Sequence, residues 1–304
     1  MAKIFIDGSA GTTGLRIETR LENREDIELI RLPEAERKDP AARRAAMAAA
    51  DIAFFCLPDA AAVEAASLAG PDTAVIDTST AHRTAPGWTY GFPELPGQRE
   101  RIRQSRRIAN PGCHASGFIA LAAPLVREGL LAPDAALSCF SVTGYSGGGK
   151  KMIAEYEGEG RDPALDAPRQ YGLGQHHKHL PEMAKLSGLD VLPVFCPVVA
   201  DYYAGMVVTI PLHRRDLRSG AADVEAVYKA LYAGPVVRYV PCPEGMLSGN
   251  DMAGKDGMKI TVAGDGERIL LISAFDNLGK GASGAAVQNM NLLLGAEETL
   301  GLEL

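Results

Sequence analysis

Hydrophobic and polar positions along the chain follow two different rhythms. In the first third, apolar runs at residues 4–6, 27–30, 52–56 and 74–77 are separated by helical spacing that begins near Leu15, at 40–50 and at 60–69. Short strands that are apolar throughout and alternate with helices predict an α/β arrangement, a parallel sheet covered on both faces. From about Ala135 the runs lengthen: 137–143, 191–195, 203–210, 236–240, 258–262 and 268–275 read as strands, with a helix at 223–232. That pattern predicts a mixed or mostly antiparallel sheet. Residues 162–174, dense in Pro and Gly, read as an irregular loop. Ala285, Val287, Met290, Leu293 and Leu294 stand at helical spacing and predict a closing helix from residue 281 to about 303, free to return to the first sheet.

Composition narrows the setting. A chain of 304 residues has room for two domains, and 46% hydrophobic residues with a mean hydropathy of −0.03 describe an ordinary globular protein. The net charge of −7 lacks the basic face that nucleic acid or an acidic membrane surface requires. No run approaches the roughly 18 apolar residues of a membrane span. Cys56, Cys113, Cys139, Cys196 and Cys242 are odd in number and scattered, as suits a reducing compartment. Met1-Ala2-Lys3 leads directly into a strand, so a cytoplasmic protein is expected.

Candidate chemistry concentrates in a few stretches. Asn110-Pro111-Gly112-Cys113-His114-Ala115-Ser116-Gly117 is turn chemistry followed by a helix-periodic run over 118–131. Cys113 therefore falls at or just before a helix N-terminus, where unpaired amides and the helix dipole favour a thiolate. Such a cysteine is a candidate nucleophile for an acyl group, and the same amides suit an oxyanion; the competing reading is a small buried core residue. Earlier, Gly8-Ser9-Ala10-Gly11-Thr12-Thr13-Gly14 joins a strand to a helix, the way a βαβ unit presents amides to a pyrophosphate. Where an NAD site places an acid after the second strand, this chain has Arg31, with Arg37 and Lys38 beyond, which favours the 2′-phosphate of NADP. Arg83 suits a bidentate clamp on phosphate or carboxylate, or a surface ion pair. The glycine loop Ser146-Gly147-Gly148-Gly149-Lys150 lets backbone approach a ligand, or makes a flexible turn. One of His176, His177 and His179 is the best general acid/base, with a carboxylate such as Glu182 to orient it. No metal is expected, because no Cys, Asp or Glu stands at a supporting ligand spacing.

Taken jointly, the cysteine turn, His177-Lys178-His179-Leu180-Pro181-Glu182 and Phe275-Asp276-Asn277-Leu278-Gly279-Lys280-Gly281-Ala282-Ser283-Gly284 carry a resemblance. With the 8–14 turn, Tyr90-Gly91-Phe92-Pro93-Glu94-Leu95, the glycine loop and Val287-Gln288-Asn289-Met290-Asn291, the chain resembles N-acetyl-gamma-glutamyl-phosphate reductase over residues 8–291, in the shorter of its two forms. The resemblance implies a Rossmann domain (1–112 and 281–304) and a central α+β catalytic and dimerisation domain with a mixed sheet (113–280). It implies Cys113 as nucleophile, His177 as acid/base and Glu182 as its partner. The 8–14 turn would hold the NADP pyrophosphate, Ser146, Gly147 and Gly149 would lie near the nicotinamide, and Asn277 near its carboxamide. Arg83, His179 and Lys150 are candidate substrate contacts.

The implied activity is NADPH reduction of a small-molecule acyl phosphate, N-acetyl-gamma-glutamyl phosphate, to N-acetylglutamate semialdehyde and phosphate through a thioester. That is a step of arginine biosynthesis, carried out by a homo-oligomer (dimer or tetramer) with no nucleic-acid or membrane partner. Aspartate-semialdehyde dehydrogenase shares the scaffold and thioester logic and is the alternative enzyme. A non-catalytic NADP-binding redox sensor is the alternative of another class, and it leaves the cysteine turn unexplained. Motif spacings shorter than in the longer form, and Cys56 where a small or apolar residue is usual, are the departures from the pattern.

Overall fold

The first apolar run folds as β1 (Ala2–Asp7), followed by α1 (Thr12–Leu21), β2 (Ile27–Ile30), α2 (Pro40–Ala49), β3 (Ile52–Phe55), α3 (Asp59–Leu68) and β4 (Ala74–Asp77). Then come β5 (Thr89–Tyr90), α4 (Gln98–Gln104) and β6 (Arg107–Ala109). All six strands are parallel, in the order β2-β1-β3-β4-β6-β5. Alternate side chains face opposite layers. Ile4, Ile6, Phe54 and Ile76 pack with Ile17 and Leu21 of α1, whereas Phe5, Ala53, Phe55 and Val75 pack with Met47 of α2 and Ala65 and Leu68 of α3. Burial on both faces is why these strands read as unbroken apolar runs. The structure, a computed structural model, describes residues 1–304 and divides into two compact units, residues 1–111 with 282–302 and residues 112–281 with 303–304.

The second unit opens with α5 (Cys113–Arg127), nearly all of it buried. Pro124 sits inside this helix and cannot donate to the carbonyl of Ala120. Tyr232 Oη supplies the missing donor to Ala120 O at 2.6 Å, and Tyr228 Oη bonds Leu121 O at 2.6 Å. After α5 follow β7 (Ser138–Gly144), α6 (Gly149–Glu157), β8 (Arg169–Gln170), α7 (Leu180–Ser187), β9 (Val194–Ala200) and β10 (Met206–His213). Helix α8 (Ala221–Leu231), β11 (Val237–Tyr239), β12 (Met258–Gly264) and β13 (Arg268–Phe275) complete the unit. The sheet order is β11-β12-β13-β10-β7-β9-β8, with β7·β9 and β11·β12 parallel and the other pairs antiparallel. The mixed sheet predicted from sequence is present. One of its faces is buried against α5, through Val208, Ile210 and Leu271. The opposite face leaves Phe140, Val194 and Leu270 exposed.

Residues 279–283 make a π-turn, and α9 (Gly284–Leu294) belongs to the first unit, where Ala286, Val287 and Met290 join the core of Ile4 and Ile76. The return of the C-terminal helix to the first sheet is as expected, but its length is not. Gly295 ends the helix in a left-handed conformation, and the segment beyond runs as turns. The strand expected at 191–195 starts only at Val194 and runs on to Ala200. No helix is long and apolar enough to cross a membrane.

Candidate active site

Two helix N-termini carry the candidate residues, and each lies in its own unit. At the first, β1 and β3 flank the point where the strand order reverses, the usual ligand crevice of an open parallel sheet. Gly8 takes φ +88, and a Cβ there would overlap the carbonyl of Cys56 at the end of β3. A Cβ on Gly14 would overlap the carbonyl of Gly8, so α1 can sit this close to the turn only with glycine there. Gly11 is the N-cap of α1, makes no side-chain cap, and has Thr12 and Thr13 behind it as the first helical residues. With no acidic residue in that first turn, the amides and the helix dipole are left to an anion. Beside them opens a cavity of about 260 Å³, lined in part by Gly8, Ser9, Ala10, Arg31, Arg37 and Lys38.

Arg31 is not loose in this wall. Its Nε donates to Glu18 Oε1 at 2.7 Å and its Nη2 to Glu22 Oε1 at 2.9 Å. Glu18 lines the same cavity, and Arg31 offsets its charge. Arg83, the expected substrate clamp, belongs to this unit and braces backbone: its Nε donates to Asn110 O at 3.0 Å and its Nη2 to Thr78 O at 3.0 Å.

At the second helix start, Gly112 is the N-cap of α5, again without a side-chain cap, and Cys113 is the first helical residue. The first helical bond runs from Ser116 N to Gly112 O at 2.8 Å, so the amides before it point out of the helix end. Gly281 closes on the cysteine: a Cβ there would lie 2.9 Å from Cys113 Cβ. Glycine at 281 was not singled out from sequence, because only this approach reveals its purpose.

Glu182, in the first turn of α7, is 1% exposed and accepts from Gly112 N at 3.2 Å through Oε2. Its Oε1 lies 4.0 Å from His179 Nε2. The resemblance pairs Glu182 with His177, and His179 is a candidate substrate contact; in the structure the carboxylate approaches His179, which is 5% exposed. His177 is the less buried of the two rings, and the rings meet edge to face with centroids 4.7 Å apart. His177 Nδ1 accepts from His179 N at 3.2 Å, so the two histidines are fixed relative to one another. His176 is exposed.

Two further residues belong to this cluster, and sequence reasoning missed both. His114 is buried, with Nδ1 2.7 Å from Ser141 Oγ and Nε2 2.7 Å from Tyr171 Oη. Desolvation, and secondarily the nearby charge of His177, push the His114 imidazole down to about 3. Burial first, and secondarily the charge of Cys113, raise the Tyr171 phenol above its ordinary range. Tyr171 lies in the segment predicted as irregular loop, where no periodicity signals burial.

Ser146 and Asn277 are also brought together. Asn277 Nδ2 donates to Ser146 Oγ at 3.0 Å, and its Oδ1 accepts from Gly205 N at 2.8 Å. Gly147 stands beside that amide, Gly149 begins α6, and Lys150 points into solvent from the first turn of α6. Sequence read this segment as a glycine loop and did not anticipate the helix.

Comparison with known proteins follows the same two-part division. Residues 3–105 match the family model "Semialdehyde dehydrogenase, NAD binding domain", and residues 113–277 match "Semialdehyde dehydrogenase, dimerisation domain", a match that starts at the cysteine. Relatives named N-acetyl-gamma-glutamyl-phosphate reductase from Brucella ovis and Brucella canis are each 49% identical, covering 96% of this chain and 99% of theirs. Among solved structures, aspartate semialdehyde dehydrogenase II from Vibrio cholerae superposes with a TM-score of 0.72 at 18% identity, covering 97% of this chain and 98% of that one. The Candida albicans aspartate semialdehyde dehydrogenase with NADP superposes with a TM-score of 0.66 at 14% identity, over 97% and 99%. These two likenesses describe the fold. The family models span both units and the Brucella relatives run nearly end to end, so the chain belongs to the N-acetyl-gamma-glutamyl-phosphate reductase family of semialdehyde dehydrogenases.

Proposed function

We propose that this chain reduces N-acetyl-gamma-glutamyl phosphate to N-acetylglutamate semialdehyde and phosphate, with Cys113 as the acyl carrier and NADPH as reductant. The observation that carries the proposal is Cys113 as the first residue of α5, with Gly281 pressed against it and Glu182 holding the preceding amide. That arrangement exposes a thiol to the positive end of a helix dipole, which favours its thiolate.

The Cys113 thiolate attacks the acyl carbon, the carbon–oxygen bond to phosphate breaks, and a thioester remains on the sulfur. His177 takes the thiol proton at the outset and returns it to a phosphate oxygen as that group leaves. His179, set beside Glu182, positions His177 through its amide. The oxyanion formed at each tetrahedral stage lies within reach of the first amides of α5. NADPH, when bound, supplies the hydride. The thioester is a stronger electrophile than a carboxylate, and after reduction the carbon–sulfur bond breaks, releasing the aldehyde and restoring the thiolate.

The cradle fits a dinucleotide because its glycines leave the room that Cβ atoms would fill, and its helix start is unopposed by acid. Gly8, Ser9, Ala10, Gly11, Thr12, Thr13 and Gly14 would hold the pyrophosphate. Arg31, Arg37 and Lys38 on the cavity wall favour the 2′-phosphate of NADP, since no carboxylate follows β2 directly to accept a ribose hydroxyl. Self-association through the outer face of the second sheet would cover Phe140, Val194 and Leu270.

The test is phosphate-dependent reduction of NADP by N-acetylglutamate semialdehyde, the reverse reaction, in wild type and Cys113→Ser. Turnover in wild type and at least ~10³-fold loss in the variant are expected. A folded, NADP-binding wild type without turnover would sink the substrate assignment, and equal rates in the two proteins would sink the nucleophile.

A further inference from the structure

Between β8 and α7 the chain leaves its sheet one rung early. Strand β8 pairs antiparallel with β9, Arg169 opposite Val199 and Gln170 opposite Val198, and Tyr171 N still donates to Pro197 O at 3.0 Å. Continued by two residues, that register would set Leu173 opposite Phe195, and the two would exchange both backbone bonds. The chain departs instead. Gly172 turns at φ +65, where a Cβ would crowd Pro197, and Gln175 N closes the turn on Gly172 O at 3.0 Å. Val194 N, on the other edge of β9, is engaged with Leu137 O, so the Phe195 amide and carbonyl face the vacated place.

The side chain of Gln175 fills that place. Its Oε1 accepts from Phe195 N at 2.9 Å, and its Nε2 donates to Phe195 O at 2.7 Å. A primary amide carries the same donor and acceptor as a peptide group, so the two bonds stand in for the missing rung of the ladder. Holding them requires φ +55 at Gln175, the only non-glycine residue of the chain with a left-handed backbone. Such strain persists where the surroundings over-determine it, and it gathers at functional sites.

His177 stands two residues further on. The Phe195 ring, 1% exposed, meets the His177 ring with centroids 5.0 Å apart and the His114 ring at 5.2 Å. Gln175 therefore ties the segment carrying His177 to the strand whose aromatic ring is one wall of that imidazole. From the other side, His179 N holds His177 Nδ1.

We propose that Gln175 is a positioning residue that sets the His177 imidazole through its two-bond clamp on Phe195. This inference rests on the reading of His177 as acid/base.

The experiment joins hydrogen exchange to a double-mutant cycle in the full-length protein. Gln175→Gly removes the amide and relieves the left-handed backbone, so loss of the clamp is not confused with added strain. Gln175→Glu keeps the size and the acceptor and, ionised, loses the donor. Exchange at the Phe195 amide is expected to quicken about tenfold in Gln175→Gly. In the reverse reaction, kcat should fall about tenfold in either variant with KM little changed. The same substitutions made in His177→Ala should cost nothing further, because residues acting as a unit are not additive. An unmoved Phe195 amide, or an equal loss of kcat with and without His177, would overturn the proposal; should Gln175→Gly fail to fold, Gln175→Glu carries the cycle. Full turnover in His177→Ala would instead defeat the reading of His177 itself, and the single variant shows that before the cycle is closed.

Discussion

Helices α1 and α5 begin alike and are set in different surroundings. Each follows a glycine-containing turn, each has glycine as its N-cap, and neither N-cap glycine has a side chain to satisfy the first amides. At α1 a cavity lies open, with Arg37 and Lys38 along it and Arg31 held against Glu18 and Glu22. At α5 a carboxylate already occupies part of the anion-attracting position, since Glu182 accepts from Gly112 N, and buried rings crowd the rest. An uncapped helix start is thus a general source of positive potential, and its neighbours decide its use. Left open among cations it suits a pyrophosphate. Loaded with a thiol and histidines, it suits a nucleophile.

Substitutions can break each half of that comparison separately. Gly281→Ala would press a methyl group against Cys113 and shift the thiol; kcat should fall by about 10²-fold while NADPH titration is unchanged. A similar loss in both measurements would mean the damage is not local to α5. Gly8→Ala should do the reverse. Its left-handed backbone and the overlap with Cys56 O should weaken NADPH binding at least ~10-fold, with the alkylation profile of Cys113 preserved. Replacing Arg37 and Lys38 together by Ala sharpens the question of cofactor choice. NADP affinity should drop about tenfold and NAD affinity should hold, as paired dissociation constants would reveal.

The smallest effect separates the regions by pH. His114 has a folded-state pKa near 3, below its usual 6.5, so the unfolded chain binds more protons between those values. Its contribution to stability is complete above about pH 6.5 and is lost as pH falls towards 3. Urea midpoints should therefore decline across that window, less steeply in His114→Phe. Identical slopes would mean that His114 is not the buried neutral ring described.

What the sequence disclosed follows from which signals are local. Turn residues, short apolar runs and the spacing of Ala285, Val287 and Met290 are read within a window of a few residues, and they located both helix starts and the returning helix. Strands β5 and β6 are only two and three residues long, Arg107 interrupts the apolar pattern, and both escaped notice. Helix α6 hid behind three consecutive glycines. Contacts set by tertiary geometry were invisible: Ser141 meets His114 because of where β7 runs, and Glu182 approaches His179 because α7 starts between them. The histidine cluster was legible as chemistry; its internal roles were not.

The first unit is discontinuous, being completed only by residues 282–302 after the whole of 112–281. A ribosome delivers its parallel sheet first and α9 almost last. At about 5–20 residues per second, the roughly 170 intervening residues impose a delay on the order of 10 to 30 seconds. Throughout that interval the nascent sheet lacks Ala286, Val287 and Met290 over Ile4 and Ile76. The unit that carries Cys113 can thus gather its 112–281 segment before the first unit is finished, and the newborn chain's period of greatest exposure to chaperones and proteases falls on its oldest strands.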